Sequence, residues 1–386
     1  MPSTKWSDDG FLNGLRQQAD PEADATIAEI VAGGEKGSVG PLFMMLKAND
    51  TPLPANAPQP LKNFMASTAG LPPGIDMARL QRGGQAFLRN GVPAVVVLLA
   101  SSLPRGYAAP CLCEILSISK DLEGRPFDRL MGVVQLLVNI SDGNAFQPNG
   151  RALITAQKLR LLHAGVRRIA HRFRPEYQAK YGVPVNHEDM LATIMAFSYL
   201  VIDGVHRLGL TMPPEQAEDL YYLWRVFAVL MGIHPAGQPH DDSYVPANLD
   251  EAAEFYASYV RRNNTSAALN PHGPRLTLEN LLMMQGLLPR PLRLLGFRAA
   301  PRIVMTELLQ PDELARVGFK PLFGHPVIKA VFQMILRVTQ SEGEHHLFAA
   351  KIAELVLQGM VDTDRGREVE FGVAFTRLGL RGASFT

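Results

Sequence analysis

The sequence predicts an all-α fold: one large helical domain behind a Pro-rich N-terminal arm, globin-like only in a loose sense. Three observations predict it. Apolar residues recur at spacings of three and four through most of the 386 residues. Period-two alternation bounded by turn residues is scarce, so few or no strands are expected. Helix breakers are gathered into a few clusters, at residues 49–60, 234–248, 271–274 and 289–291. A hydrophobic share of 47% with 19% charged residues excludes a disordered chain, and a mean hydropathy of +0.01 is far below that of an integral membrane protein. With 38 Lys+Arg against 37 Asp+Glu, no global charge draws the chain to nucleic acid or an anionic membrane.

Taken in order, residues 1–60 read as an arm and linker and residues 61–386 as the helical domain. Asp8, Asp9 and Arg16 interrupt the N-terminus, which leaves no apolar run of signal-peptide length. The longest apolar stretches, 92–100 and 190–202, fall short of the roughly 18 residues a membrane span needs. A cytoplasmic protein is expected. Cys111 and Cys113 are too close for an ordinary disulfide and too few for a structural zinc site, so they read as buried thiols.

The strongest helices follow. Residues 151–173 start after Pro148-Asn149-Gly150 and stop before Pro175, with Thr155, Leu159, Leu162, His163, Val166 and Ala170 on one face. Residues 186–208 open on a capping Asn186 with Asp189 three positions later, and Gly209 stops them. That body is apolar on all sides, which places it at the centre of the domain. Residues 214–232 carry Tyr221, Tyr222, Trp224, Arg225 and Phe227. Residues 369–380 are the only place where a short strand is expected, and no internal repeat is visible.

No Gly-rich phosphate loop, Gly-x-Ser-x-Gly elbow or His-Glu-x-x-His motif occurs, so the histidines come first as candidates. His163 interrupts an otherwise apolar face, and Arg160 and Arg167 lie on the same side of its helix. One imidazole between two cations suits a large apolar cofactor that carries carboxylates, with imidazole on iron and arginine on propionates. Spacing alone favours a core histidine bonded to a neighbouring helix, with solvated arginines outside it. Glu188 and Asp189 favour a helix N-terminus as capping groups, and His206 favours the C-terminal end of the same helix. A di-iron bundle needs two Glu-x-x-His pairs, and only Glu342-Gly-Glu-His345 is present. His240-Asp241-Asp242 could bind a metal only as an exposed loop. Met190, Met195, Phe197 and Tyr199, with Tyr221, Trp224, Phe227 and Met231, read as core or as the dry wall of a haem pocket.

Two blocks carry a resemblance. Residues 150–167, Gly-Arg-Ala-Leu-Ile-Thr-Ala-Gln-Lys-Leu-Arg-Leu-Leu-His-Ala-Gly-Val-Arg, and residues 182–198, Gly-Val-Pro-Val-Asn-His-Glu-Asp-Met-Leu-Ala-Thr-Ile-Met-Ala-Phe-Ser, resemble the paired signature of one oxygenase family. It groups bacterial latex-clearing proteins (rubber oxygenases) with the fungal oxygenase of mycophenolic acid biosynthesis. Gly83-Gly84 to Phe87, residues 100–103 and Gly106-Tyr107-Ala108 are similar to its earlier blocks, and the likeness covers roughly residues 60–300.

The resemblance implies an all-α, haem b-dependent oxygenase that acts with dioxygen on a hydrophobic, often isoprenoid, small molecule. Arg151, Thr155, Arg160, His163 and Arg167 match the first block, and Asn186, Glu188 and Asp189 the second. It puts forward Arg160 and Thr155 for catalysis, Arg160, His163, Arg167 and Met195 for cofactor binding, and His163 or His187 for the iron. Met195 and His206 stand behind those two as ligands. The rubber-cleaving branch bears a histidine in the central helix where this chain reads Thr193-Ile-Met-Ala-Phe197, and His187 stands where other members have glutamine. The alternative is a non-catalytic protein of the same fold that binds a hydrophobic ligand or partner, which a visible absorption spectrum distinguishes.

Overall fold

The computed structural model describes residues 4–34, 46–118, 126–288 and 297–323, with scattered positions between 326 and 337. The expected strand at 369–380, the Glu342–His345 pair and the corner at 289–291 lie outside the described residues. A single 3-10 turn, Lys5–Ser7, precedes α1 (Asp9–Arg16) and α2 (Pro21–Ala32). Next come α3 (Gln59–Ser67), α4 (Met77–Arg89), α5 (Gly91–Val97), a π-helical turn (Leu98–Ser102), α6 (Leu103–Gly106), α7 (Pro110–Ile118) and α8 (Pro126–Ser141). The central elements are α9 (Ala152–Phe173), α10 (Tyr177–Tyr181), α11 (His187–Phe197), α12 (Tyr199–Arg207) and α13 (Pro214–Leu230). Finally α14 (Leu249–Asn263), α15 (His272–Leu287), α16 (Ala300–Leu308) and α17 (Pro311–Arg316) complete the described chain, which contains no strand.

Side-chain caps set many of the starts. Asp8, Asp20, Asp76, Asn186 and Asn248 each accept a backbone N–H from the first turn of the helix they precede. Helix α9 lies across the middle, with α2, α7, α8 and α13 packed on it, while α11 is enclosed by α1, α6, α12, α13 and α14. The expected single helix over 186–208 is two. At Ser198 the backbone leaves helical geometry (φ −115°, ψ −88°), and its hydroxyl donates to the Ile194 carbonyl at 2.7 Å. A serine that bonds back to position i−4 bends a helix. The whole stretch His187–Arg207 is long and apolar enough to cross a membrane, yet 67% of its apolar window is buried in protein. Phe197 stacks on Trp224 at 5.1 Å, and Phe227 meets Trp224 edge-on at 5.8 Å, which joins α11 to α13 through the core.

The N-terminal segment is more than the expected arm. Trp6, Leu12 and Leu15 enter the main hydrophobic core, and Ile27 and Ile30 of α2 join Leu61, Phe64 and Leu161 in a second one. Each fully buried side chain of this size contributes about 1.5–3 kcal/mol by leaving water, so these helices are integral to the fold. The signal was present in the sequence as Asp20-Pro21, a cap followed by Pro at the first helical position.

Gly83 and Gly84 let α4 wedge between two neighbours. A Cβ at Gly83 would sit 2.3 Å from the Asp219 carbonyl of α13, and one at Gly84 would sit 2.5 Å from the Ser141 carbonyl of α8. Asp219 fastens the same contact by accepting from Arg79 at 2.8 Å and Arg82 at 2.6 Å. Gly83→Ala is therefore expected to destabilise by about 2–3 kcal/mol through overpacking against backbone that cannot turn aside. A urea unfolding curve measures it, and an unchanged midpoint contradicts the wedge.

Candidate functional site

The site grows from the middle of α9. Arg160, His163 and Arg167 share one side of that helix, as their spacing requires, and α2 lies against it. Arg160 is only 5% exposed. Its Nε and Nη2 donate to the two oxygens of Asp20 at 2.5 and 2.9 Å, and Nη2 also donates to Glu22 at 2.9 Å. Arg167, also buried, donates to Asp24 at 2.7 Å and to the carbonyls of Asp20 and Val185 at 3.4 Å. Burial pushes the Asp20 carboxyl up, but the Arg160 guanidinium outweighs it and holds the group below its usual value. Gly232, in the left-handed region at φ +84°, makes room for this pair, since a Cβ there would lie 2.8 Å from Asp20 Oδ2.

Asp20, Arg160, His163 and Arg167 meet Val185, His187, Met190, Met231 and Ile233 around a pocket of about 10 Å3. His163 keeps solvent-accessible surface, as do Leu162 and Val166 beside it, although Leu161, Ala164 and Gly165 around them are buried. Leu162, His163 and Val166 thus form a partly exposed, mainly apolar strip along α9. Burial, helped by the positive Arg167 and opposed by Asp20, lowers its pKa to about 4. His187 is 4% exposed, and burial also lowers its pKa to about 4, with Asp20 opposing. Both imidazoles are neutral at physiological pH, the form that ligates a metal. Among the described residues neither ring nitrogen of His187 has a hydrogen-bond partner. Val185, on the same pocket, has φ +53°, and among the described residues it is the one non-glycine with positive φ. A β-branched residue held there stores strain of about 1–3 kcal/mol, a feature that gathers at functional sites.

Behind His187 lies a second buried network. Asn186 caps α11 as expected, its side-chain oxygen accepting from the Asp189 N–H at 2.9 Å. Glu188, 0% exposed, accepts from Arg16 at 2.6 Å, Arg262 at 3.0 Å and Asn263 at 3.1 Å. Asp189 accepts from Tyr259 at 2.9 Å and Cys111 at 3.4 Å. Burial raises the Asp189 carboxyl and Arg16 opposes it. These carboxylates therefore do more than favour a helix dipole: they anchor α1 and α14 to the start of the central helix.

The remaining candidates lie elsewhere. Thr155 is buried and accepts from Asn139 at 3.0 Å, tying α8 to α9, and it does not line the pocket. Met195 is 0% exposed within the core. His206 Nε2 lies 3.3 Å from the Met212 carbonyl, and Asp242 pairs with Arg225 on the surface. Among the described residues no three His, Cys, Asp or Glu side chains are placed to hold a bare metal ion. Sequence reading missed Asp20, Arg16 and Val185; the Asp20-Pro21 pair marks a helix start, but nothing local names its partner.

Asp20→Asn is expected to cost roughly 3 kcal/mol of stability, because it leaves a buried guanidinium with only Glu22 to neutralise it. Chemical denaturation measures it, and a loss under 1 kcal/mol contradicts the assigned role. The histidines give a pH dependence. The unfolded chain protonates His187 near 6.5, whereas the folded one resists to about 4. Unfolded protein therefore binds more protons in that window, and the stability of the cofactor-free protein falls as pH drops from 6.5 to 4. Urea titrations across those values test this, with a smaller slope expected for His187→Gln.

Residues 85–337 match the catalytic-domain family described as ER-bound oxygenase mpaB/B′ and rubber oxygenase. The rubber oxygenase of Streptomyces sp. strain K30 is 27% identical over 262 residues, which span 65% of this chain and 62% of that protein. The structure of a latex clearing protein in its closed state superposes with a TM-score of 0.70 at 22% identity, covering 90% of this chain and 91% of the other. That likeness establishes the all-α fold. With the family match extending over well over half of its length, the chain belongs to the mpaB/rubber oxygenase catalytic-domain family.

Proposed function

We propose that this chain is a haem b-dependent oxygenase that acts with dioxygen on a hydrophobic small molecule, with His163 as the protein ligand to iron. The observation that carries the reading is the state of His163: a neutral imidazole with no hydrogen bond to protein among the described residues, bordering an accessible apolar strip inside an oxygenase-family fold. The competing ligands are less suited. Met195 is enclosed by core, His206 sits at a backbone carbonyl, and His187 is more deeply buried than His163.

The imidazole fits a haem and the arginines, as placed, do not. Arg160 and Arg167 already serve Asp20, Glu22 and Asp24, so pairing with propionates would require displacing α2. The pocket of about 10 Å3 is also far too small for a macrocycle, which would have to lie along the strip of Leu162, His163 and Val166. A haem held by His163 would supply an iron that activates dioxygen. His163 offers a lone pair at any pH above about 4. Leu162, Val166 and Met190 give that side an apolar surface that favours an apolar substrate, isoprenoid chains included. Thr155 is best assigned to holding α8 on α9, at one remove from the reaction.

Haem reconstitution followed by a visible spectrum tests the proposal. Wild-type protein is expected to show a Soret band, and His163→Ala is expected to fold with an unchanged helical circular dichroism spectrum and no such band. Full haem retention by His163→Ala overturns the ligand assignment. Wild-type protein that stays colourless after haem is offered favours a non-catalytic, ligand-binding member of the fold.

A further inference from the structure

The C-terminal end of α9 turns an aromatic side chain to solvent. Phe173 is 56% exposed, although phenylalanine is ordinarily a buried residue. Arg168, His171, Arg172, Arg174 and Lys180 lie near it in sequence and are exposed as well. The Arg172 guanidinium lies 5.5 Å from the Phe173 ring, and the Lys180 ammonium on α10 lies 4.7 Å from the Tyr181 ring. The carboxylates that face these groups are Glu114, 3.9 Å from Arg174, and the exposed Glu176; Asp24 bears on His171 but is committed to Arg167. Among the described residues Arg168 and Lys180 form no ion pair. Arg168, Arg172, Arg174 and Lys180 thus outnumber Glu114 and Glu176, a local positive excess on a chain whose formal net charge is +1. A helix C-terminus favours cations through its dipole, which accounts for Arg172 and Arg174. It does not account for Arg168, more than a turn earlier, for Lys180 on the next helix, or for the solvent-facing ring.

We propose that this end of the molecule, α9 from Arg168 onward together with α10, docks on an anionic phospholipid bilayer. The Phe173 ring enters the boundary between headgroups and acyl chains, while the guanidiniums and the Lys180 ammonium meet lipid phosphates. An apolar insertion and a basic cluster are two signals that bind a membrane together and only marginally apart. The attraction acts within a Debye length of about 10 Å, so the balanced charge of the whole chain does not oppose it. A polynucleotide calls for a groove that tracks its backbone, whereas these cations gather about one projecting side chain at a helix end. The exposed Leu278 and Leu282 on α15 lie beside Arg275 and Glu279, which pair at 3.8 Å and offer no excess charge. Spacings of four and seven residues put Leu162, Val166 and Phe173 on one face of α9. Docking would bring the end of that face to the phase in which an apolar small molecule dissolves, whichever residue holds iron.

The experiment sediments the full chain with phosphatidylcholine vesicles, with and without phosphatidylserine, at low and at physiological salt. Wild-type protein is expected to partition onto the phosphatidylserine vesicles, more weakly as salt rises, and not onto phosphatidylcholine alone. Arg168→Gln and Arg172→Gln are each expected to weaken partition about fivefold and Phe173→Ser about tenfold, with the control Leu282→Ser within about twofold of wild type. All four side chains are exposed, and circular dichroism checks that the variants fold. Phe173→Trp adds a reporter of insertion, since Trp6 and Trp224 are each 1% exposed, and brominated acyl chains are expected to quench its emission. Absence of partition, partition indifferent to Phe173→Ser or to the arginine changes, or an unquenched reporter overturns the proposal. An equal loss in Leu282→Ser overturns it too, because the surface would then lie on α15. Binding to single-stranded DNA that matches binding to vesicles and survives Phe173→Ser assigns the patch to nucleic acid and also overturns it.

Discussion

The buried pair between Asp20 and Arg160 is the interaction on which the rest of the arrangement depends. A guanidinium that is 5% exposed cannot be left unpaired, because an uncompensated buried charge costs more than most single contacts contribute. Asp20 satisfies it with both oxygens while also accepting the Ala23 N–H that starts α2. One carboxylate thereby begins a helix and fixes where that helix lies. Arg167 and Asp24 repeat the contact almost two turns along α9, and Gly232 exists in a conformation that leaves room for it. With α2 clamped, one wall of the His163 pocket is closed by residues from the N-terminal end of the chain.

A parallel arrangement holds the other wall. Glu188 and Asp189 at the start of α11 draw in α1 through Arg16 and α14 through Arg262 and Tyr259, which leaves the adjacent His187 no freedom to turn outward. The strained Val185 makes the bend that delivers it. Two ion-pair networks, one per wall, therefore meet a small space lined by the paired Asp20, Arg160 and Arg167 together with aliphatic, thioether and neutral imidazole groups. Charge near the site is high in amount and almost fully compensated in place. That is how a chain with formal net charge +1 can carry buried arginines beside this pocket.

Much of this was legible in the sequence where the signal is local. The period of α9, its limits near Gly150 and Pro175, the cap at Asn186 and the all-round apolar body of α11 are each set by residues within a turn or two of one another, and each appears in the structure. His163 between Arg160 and Arg167 was readable as a helix face for the same reason. The break at Ser198 was not, because a serine inside an apolar helix bends it only when its hydroxyl bonds back to the backbone. The partners of the arginines were hidden as well: 140 positions separate Asp20 from Arg160 and 172 separate Arg16 from Glu188, and no short-range pattern encodes such pairings. Glu188 and Asp189 look like ordinary first-turn carboxylates until tertiary structure buries them. Composition likewise could not separate Met190, which lines the pocket, from Met195, which fills core one and a half turns further on.

Under the proposed function, a neutral, otherwise unbonded nitrogen of His163 meets the iron of a bound haem. A crystal structure of the haem-loaded protein with data collected at the iron absorption edge tests this most directly. The predicted result is an anomalous peak within bonding distance of a His163 ring nitrogen, with α2 and Asp20 still in place on the opposite side of that ring. A peak on His187, on a sulfur, or remote from α9 would contradict it.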